Sequence, residues 1–174
     1  MNTPRLSFSL KKMEINTQRL KSTAKAVFPN HKLNFYFAVK ANYLERVRSQ
    51  IFSLGIGAEV GRLDELKSLP NEMNPQIIIN GHYKSDAFLQ EAIARKVKRI
   101  FVESNYELKR VEYLAHQHNQ KVEVGVRIKI GNNKVGADLN EIHQIAKNKS
   151  EQLAITALHF HLGWNEKDSS PTFE

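Results

Sequence analysis

The sequence contains no cysteine, which excludes disulfides, thiolate metal sites and a cysteine nucleophile among these residues. Long apolar runs are also missing. No stretch reaches the roughly eighteen uncharged apolar residues that a bilayer-spanning helix needs, and the N-terminus lacks the compact apolar block of a signal peptide. The sequence therefore predicts a cytoplasmic protein with no membrane association. Any covalent chemistry is left to lysine, serine or a cofactor.

The 174 residues are 41% apolar and 25% charged, the composition of one ordinary globular domain rather than a disordered or collagen-like chain. Lysine and arginine number 26 against 18 acidic residues, a formal charge of +8. Such a balance favours anionic ligands such as phosphates and makes nucleic acid a candidate partner. The densest basic cluster, Arg95, Lys96, Lys98 and Arg99, joins a helix-like segment to an apolar run. It reads as a solvated connection, because no aromatic residues interleave with it as a single-strand binding surface requires. Nucleic acid is accordingly not expected.

From Phe35 onward, short apolar runs alternate with amphipathic stretches, the pattern of strand-helix units feeding a parallel sheet. Predicted strands are Phe35 to Ala41, Gly57 to Gly61, Gln76 to Asn80, Arg99 to Glu103, Val122 to Ile130 and Ile155 to Leu162. Between them fall helices over Leu44 to Leu54, Leu63 to Leu69, Ser85 to Arg95, Tyr106 to Gln117 and Leu139 to Lys147, and another over Met13 to Phe28 precedes the first strand. Ser85 and Ser104 stand where helix N-caps belong. No linker or repeat divides the chain, so one unit is expected. An open doubly wound sheet and a (β/α)8 barrel both fit. Walker-type and G-x-G-x-x-G phosphate loops are absent, and Gly55-Ile56-Gly57 reads as a helix stop. Six units do not close an eight-stranded barrel, so the sequence predicts a truncated one.

Lys40 ends the apolar run Phe35-Tyr36-Phe37-Ala38-Val39, where barrel enzymes place catalytic groups. Burial there would disfavour the ammonium and create a nucleophilic amine fit to condense with an aldehyde. A lysine ending a strand also commonly snorkels to solvent, and the local sequence leaves both outcomes open. His159 and His161 lie two apart on a predicted strand and share one face, with Phe160 on the other. A zinc pair, core histidines satisfied by hydrogen bonds, and a cofactor-contacting imidazole are the competing readings. No carboxylate or third histidine lies near them in sequence, which disfavours metal.

Together these residues carry a resemblance. Tyr36-Phe37-Ala38-Val39-Lys40-Ala41-Asn42 resembles the Tyr-Ala-Val-Lys-Ala-Asn signature of the fold-type III, pyridoxal phosphate-dependent amino-acid decarboxylases, the group of diaminopimelate, ornithine and arginine decarboxylases. Leu54 to Val60 with Glu65-Leu66, Asn80-Gly81 with Lys84-Ser85, Arg127, Lys134-Val135-Gly136, and Leu158-His159-Phe160-His161-Leu162-Gly163 resemble further family segments in the family's order. The match runs over roughly residues 4 to 174.

The resemblance implies an α/β fold: residues 1 to 174 form the N-terminal portion of an alanine racemase-like, pyridoxal-binding barrel, without its closing units and C-terminal β-domain. It implies that Lys40 holds pyridoxal 5'-phosphate as an internal aldimine and that His161 stacks on the pyridine ring. Glu59, Arg127 and Gly163 become cofactor-pocket residues, while His159 lies one layer deeper. The implied reaction is decarboxylation of an amino acid with a basic or second amino-bearing side chain, in a homodimer or in association with the missing C-terminal part. The isolated chain is expected to be inactive. Departures from the family pattern are Trp164 in place of a phosphate-binding serine, Glu59 for an aspartate, and Arg62-Leu63 for a serine-glycine pair. A non-catalytic homologue acting through protein binding, and a racemase or cofactor carrier on the same barrel, are the alternatives.

Overall fold

The computed structural model describes residues 7–131, 135–147 and 150–161. The chain divides into two compact units, Met1–Ala58 and Glu59–Glu174. In the first unit helix α1 (Leu10–Val27) precedes strand β1 (Tyr36–Ala38), and helix α2 (Glu45–Ser53) leads into strand β2 (Gly57–Val60), whose last two residues open the second unit. Ser9 caps α1, its side chain accepting the Lys12 N–H at 3.2 Å. The helix starts three residues before its predicted onset because this cap precedes Leu10. None of the eighteen α1 residues is buried. The unit's core is small: Val47, Ile51 and Ile56, with Met13, Phe35, Phe37 and Phe52 packed half-buried against them.

The second unit continues as α3 (Leu63–Lys67), β3 (Ile77–Ile79), α4 (Asp86–Ala94), β4 (Arg99–Val102), α5 (Asn105–Gln117), β5 (Val122–Arg127), α6 (Leu139–Ala146) and β6 (Leu153–His159). The strand order is β1-β2-β3-β4-β5-β6 in one sheet, and β3 through β6 pair in parallel. The predicted α/β alternation is thus what folds. Ser85 and Ser104 do cap α4 and α5, accepting the N–H groups of Phe88 and Glu107 at 3.2 and 3.1 Å. Alternation sorts the strands: Ile77, Ile79, Ile100, Val102, Val124 and Val126 are buried on the face that, with Phe88, Leu89, Leu108 and Val111 of the helices, forms the core.

The opposite face carries different chemistry in layers. At the amino ends of the strands Arg99 Nη2 donates to Glu123 Oε2 at 2.8 Å, Lys98 Nζ reaches Glu123 Oε1 at 3.0 Å, and Arg99 Nε reaches Thr156 Oγ1 at 3.1 Å. Above this, Phe101 pairs in register with Gly125. A Cβ on Gly125 would lie 2.2 Å from the Phe101 ring, so only glycine lets that ring lie across β5. The basic cluster is the expected solvated connection only in part, since Lys96 and Lys98 are exposed while Arg95 and Arg99 are half-buried. Arg95 is half-buried and donates to the carbonyls of Leu66, Leu69 and Pro70 at 2.7 to 3.1 Å, tying down the chain around the end of α3. Fixed carbonyls at a helix C-terminus hold a guanidinium better than water does.

Candidate active site

Polar side chains gather at the C-terminal ends of the second unit's strands. Glu59 lies within β2, Asn80 and Glu103 directly follow β3 and β4, and Arg127 and His159 end β5 and β6. In parallel α/β sheets this is the edge where ligands bind, since the loops beyond it are free to vary while the strands hold the side chains fixed. Asn80 Nδ2 donates to Glu59 Oε1 at 2.8 Å. Arg127, buried, donates from Nη1 to Glu103 Oε1 at 2.7 Å. His82 Nδ1 sits 3.1 Å from both that carboxylate oxygen and Arg127 Nη1. Arg127 and His159 are register partners across β5 and β6.

Two further charges hold the frame. Lys84 is fully buried, its Nζ donating to both oxygens of Glu107 at 3.0 Å and to the Gly81 carbonyl at 2.7 Å. Glu107 Oε2 also accepts the backbone N–H of Glu103 at 3.0 Å. Gly81 makes the turn possible: its φ is +120°, and a Cβ there would press on the Gly61 carbonyl at 3.2 Å.

His159 packs edge-on against Phe101, ring centroids 5.3 Å apart. Burial, and after it the Arg127 guanidinium, hold its imidazole below the ordinary value of 6.5. The ring is thereby kept neutral beside a cation. Its Nδ1 is buried without a hydrogen-bond partner, as are Arg127 Nε and Asn80 Oδ1. Buried polar atoms are rarely left unpaired. An unpaired cationic donor and an unpaired acceptor at strand ends fit a ligand that carries both an anionic group and N–H or O–H donors, as pyridoxal phosphate does.

Of the residues singled out in sequence, Glu59, Arg127 and His159 stand along this edge, and His161 follows β6 half-buried. Gly163, Trp164 and Lys134 lie outside the described residues. Lys40 belongs to the first unit, and the expectation that burial withdraws it from water is corrected: Lys40 is exposed. The reason is local. β1 ends at Ala38, and Val39–Ala41 form a 3-10 turn in which Val39 takes the buried position at 0% exposure. Asn42 Oδ1 then accepts the Leu44 N–H at 2.9 Å, turning the chain toward α2. Sequence reasoning assigned no role to Glu103, His82, Lys84 or Glu107. The signal for Glu103 was present, because the predicted fourth strand ends on it.

A family model described as pyridoxal-dependent decarboxylase, pyridoxal binding domain, matches residues 14–173. A diaminopimelate decarboxylase of Helicobacter pylori is 28% identical, the match covering 86% of this chain and 42% of that protein. A biosynthetic arginine decarboxylase of Bacteroides thetaiotaomicron is also 28% identical, covering 73% of this chain and 24% of that protein. The crystal structure of diaminopimelate decarboxylase from M. jannaschii in co-complex with L-lysine shares the fold, with a TM-score of 0.83 at 23% identity over 94% of this chain and 43% of that one. The chain spans less than half the length of these relatives. Among the described residues no helix is long and apolar enough to cross a membrane. The matched model, which covers most of the chain, and the α/β sheet shared with these barrel decarboxylases agree: the chain belongs to the pyridoxal-binding domain family of the pyridoxal phosphate-dependent decarboxylases.

Proposed function

We propose that this chain is the cofactor-holding portion of a cytoplasmic enzyme that decarboxylates an amino acid with a basic or second amino-bearing side chain. The observation that carries the reading is the row of strand-end side chains in which Arg127 Nε, His159 Nδ1 and Asn80 Oδ1 are buried yet unpaired. When bound, pyridoxal phosphate supplies an electron sink for the pair left behind as carbon dioxide departs. The protein's part is holding and orientation. Lys40, exposed on its turn, offers a primary amine to the cofactor's aldehyde. His161 offers a flat ring to the pyridine face, and Arg127 and Glu59 supply opposite charges at the strand ends.

The same reading gives a role to the exposed Ile155, Leu158 and Phe160 on and after β6. They form apolar surface that the remainder of such an enzyme, or a second copy, covers. The test is direct. Pyridoxal phosphate added to the purified chain should give a visible absorption band, and borohydride should then fix the cofactor's mass on the peptide containing Lys40, but not in Lys40→Ala. A label absent from that peptide overturns the reading.

A further inference from the structure

We propose that Glu103 is a positioning residue for Arg127, assisted by His82, and that this carboxylate decides where the guanidinium aims at the cofactor. The inference rests on the proposed function. A guanidinium is a rigid planar fork, so anchoring one nitrogen fixes the direction of the others. Glu103 Oε1 anchors Nη1 at 2.7 Å while Nε stays without a protein partner. The fork is thus held at one prong, with Nε buried and unmatched by any protein acceptor.

The anchor is itself anchored. The Glu103 backbone N–H donates to Glu107 Oε2 at 3.0 Å, and Glu107 is locked by the fully buried Lys84. Lys84 Nζ also holds the Gly81 carbonyl at 2.7 Å, the residue before His82. One buried ion pair therefore places both groups that touch Arg127 Nη1. His82 Nδ1 faces a donor, Arg127 Nη1, and an acceptor, Glu103 Oε1, each at 3.1 Å. With Nδ1 unprotonated it accepts from Arg127, and with Nδ1 protonated it donates to Glu103.

Stability does not explain the arrangement. Glu103 and Arg127 side chains are only 10% and 6% exposed, and a buried pair is often no better for stability than apolar side chains of the same size. Holding a cation at a ligand edge is what such a pair does well.

Two measurements on the full chain test the proposal. In ligand-free protein, the Arg127 Nε–H resonance should be sharp in wild type and broadened in Glu103→Gln, with the Val126 amide unmoved. Pyridoxal phosphate should bind at least roughly tenfold more weakly to Glu103→Ala, equivalent to about 1.4 kcal/mol. In an Arg127→Ala background the same substitution should change affinity by less than about twofold, because coupled residues lose their effect together, and Glu103→Asp should restore part of the affinity. An Arg127 resonance indifferent to Glu103, or losses that simply add, overturns positioning. Should the wild-type chain bind no cofactor, the proposed function fails instead, and the resonance still decides whether Glu103 holds Arg127.

Discussion

Each unit buries an arginine, Arg48 in the first and Arg127 in the second, but only the second draws a lysine fully inside. In the first, the core is Val47, Ile51 and Ile56 with half-buried neighbours, Lys40 is exposed, and Lys21 reaches only the Leu54 carbonyl, at 2.5 Å. In the second, a continuous core lies under one face of the sheet, and Lys84 and Arg127 are drawn inside and paired with Glu107 and Glu103. A shallow core leaves a lysine reachable, as an amine that must meet an aldehyde has to be. A deep one immobilises charge, as a side chain that must aim at a ligand has to be. On the proposed function these are different jobs, nucleophile and positioning group, and the packing around each suits the job.

The sharpest way to break this comparison is to remove one lysine from each unit. Lys84→Met leaves Glu107 buried with an uncompensated charge and should destabilise the protein by about 3–5 kcal/mol. Lys21→Met gives up one hydrogen bond from a half-buried position and should lose about 0.5–1.5 kcal/mol. Urea melts of both variants measure the difference directly. Equal losses would mean that the second unit's charges are no more tightly held than the first's.

A smaller effect comes from the layer between the charged ends of the sheet. Gly125→Ala would put a methyl group into the Phe101 ring, 2.2 Å from its edge. The ring must move, and with it its contact to His159. We expect a loss of about 1–3 kcal/mol, typical of overpacking, together with a shift of the His159 ring resonances. A fully stable variant with unmoved His159 would show the inner face to be looser than its geometry.

Much of this was legible in the sequence because local rules and tertiary packing agree. Ser85 and Ser104 cap the helices that hydrophobic periodicity predicts, and α4 and α5 begin where those caps place them. The strand ends carry Glu59, Asn80, Glu103, Arg127 and His159, and reading which polar residue closes each apolar run identifies the edge. Two things were not legible. Val39-Lys40-Ala41 looks like the continuation of a strand, yet Asn42 favours a turn toward α2 and the backbone tightens. The pairing of Lys84 with Glu107 joins residues 23 positions apart, and nothing local marks a lysine as buried until the helix that covers it is in place.

Acid extends the comparison, because its effect should originate in the second unit's cluster. His159 has its imidazole held below 6.5, first by burial and then by Arg127, so the unfolded chain binds a proton more readily than the folded one. For a group depressed in this way, stability is full above the unfolded value and is lost as pH falls through the folded value. Glu59 and Glu103 face the ring and oppose the depression, while His161 adds to it. Replacing His159 with Gln removes the titrating group and leaves the neighbours in place. The stability of wild type relative to His159→Gln should therefore decline as pH falls below the ordinary imidazole value of 6.5, read from melts of the two proteins in parallel. A difference that stays constant on acidification would mean that the ring is as free to accept a proton in the fold as in the unfolded chain.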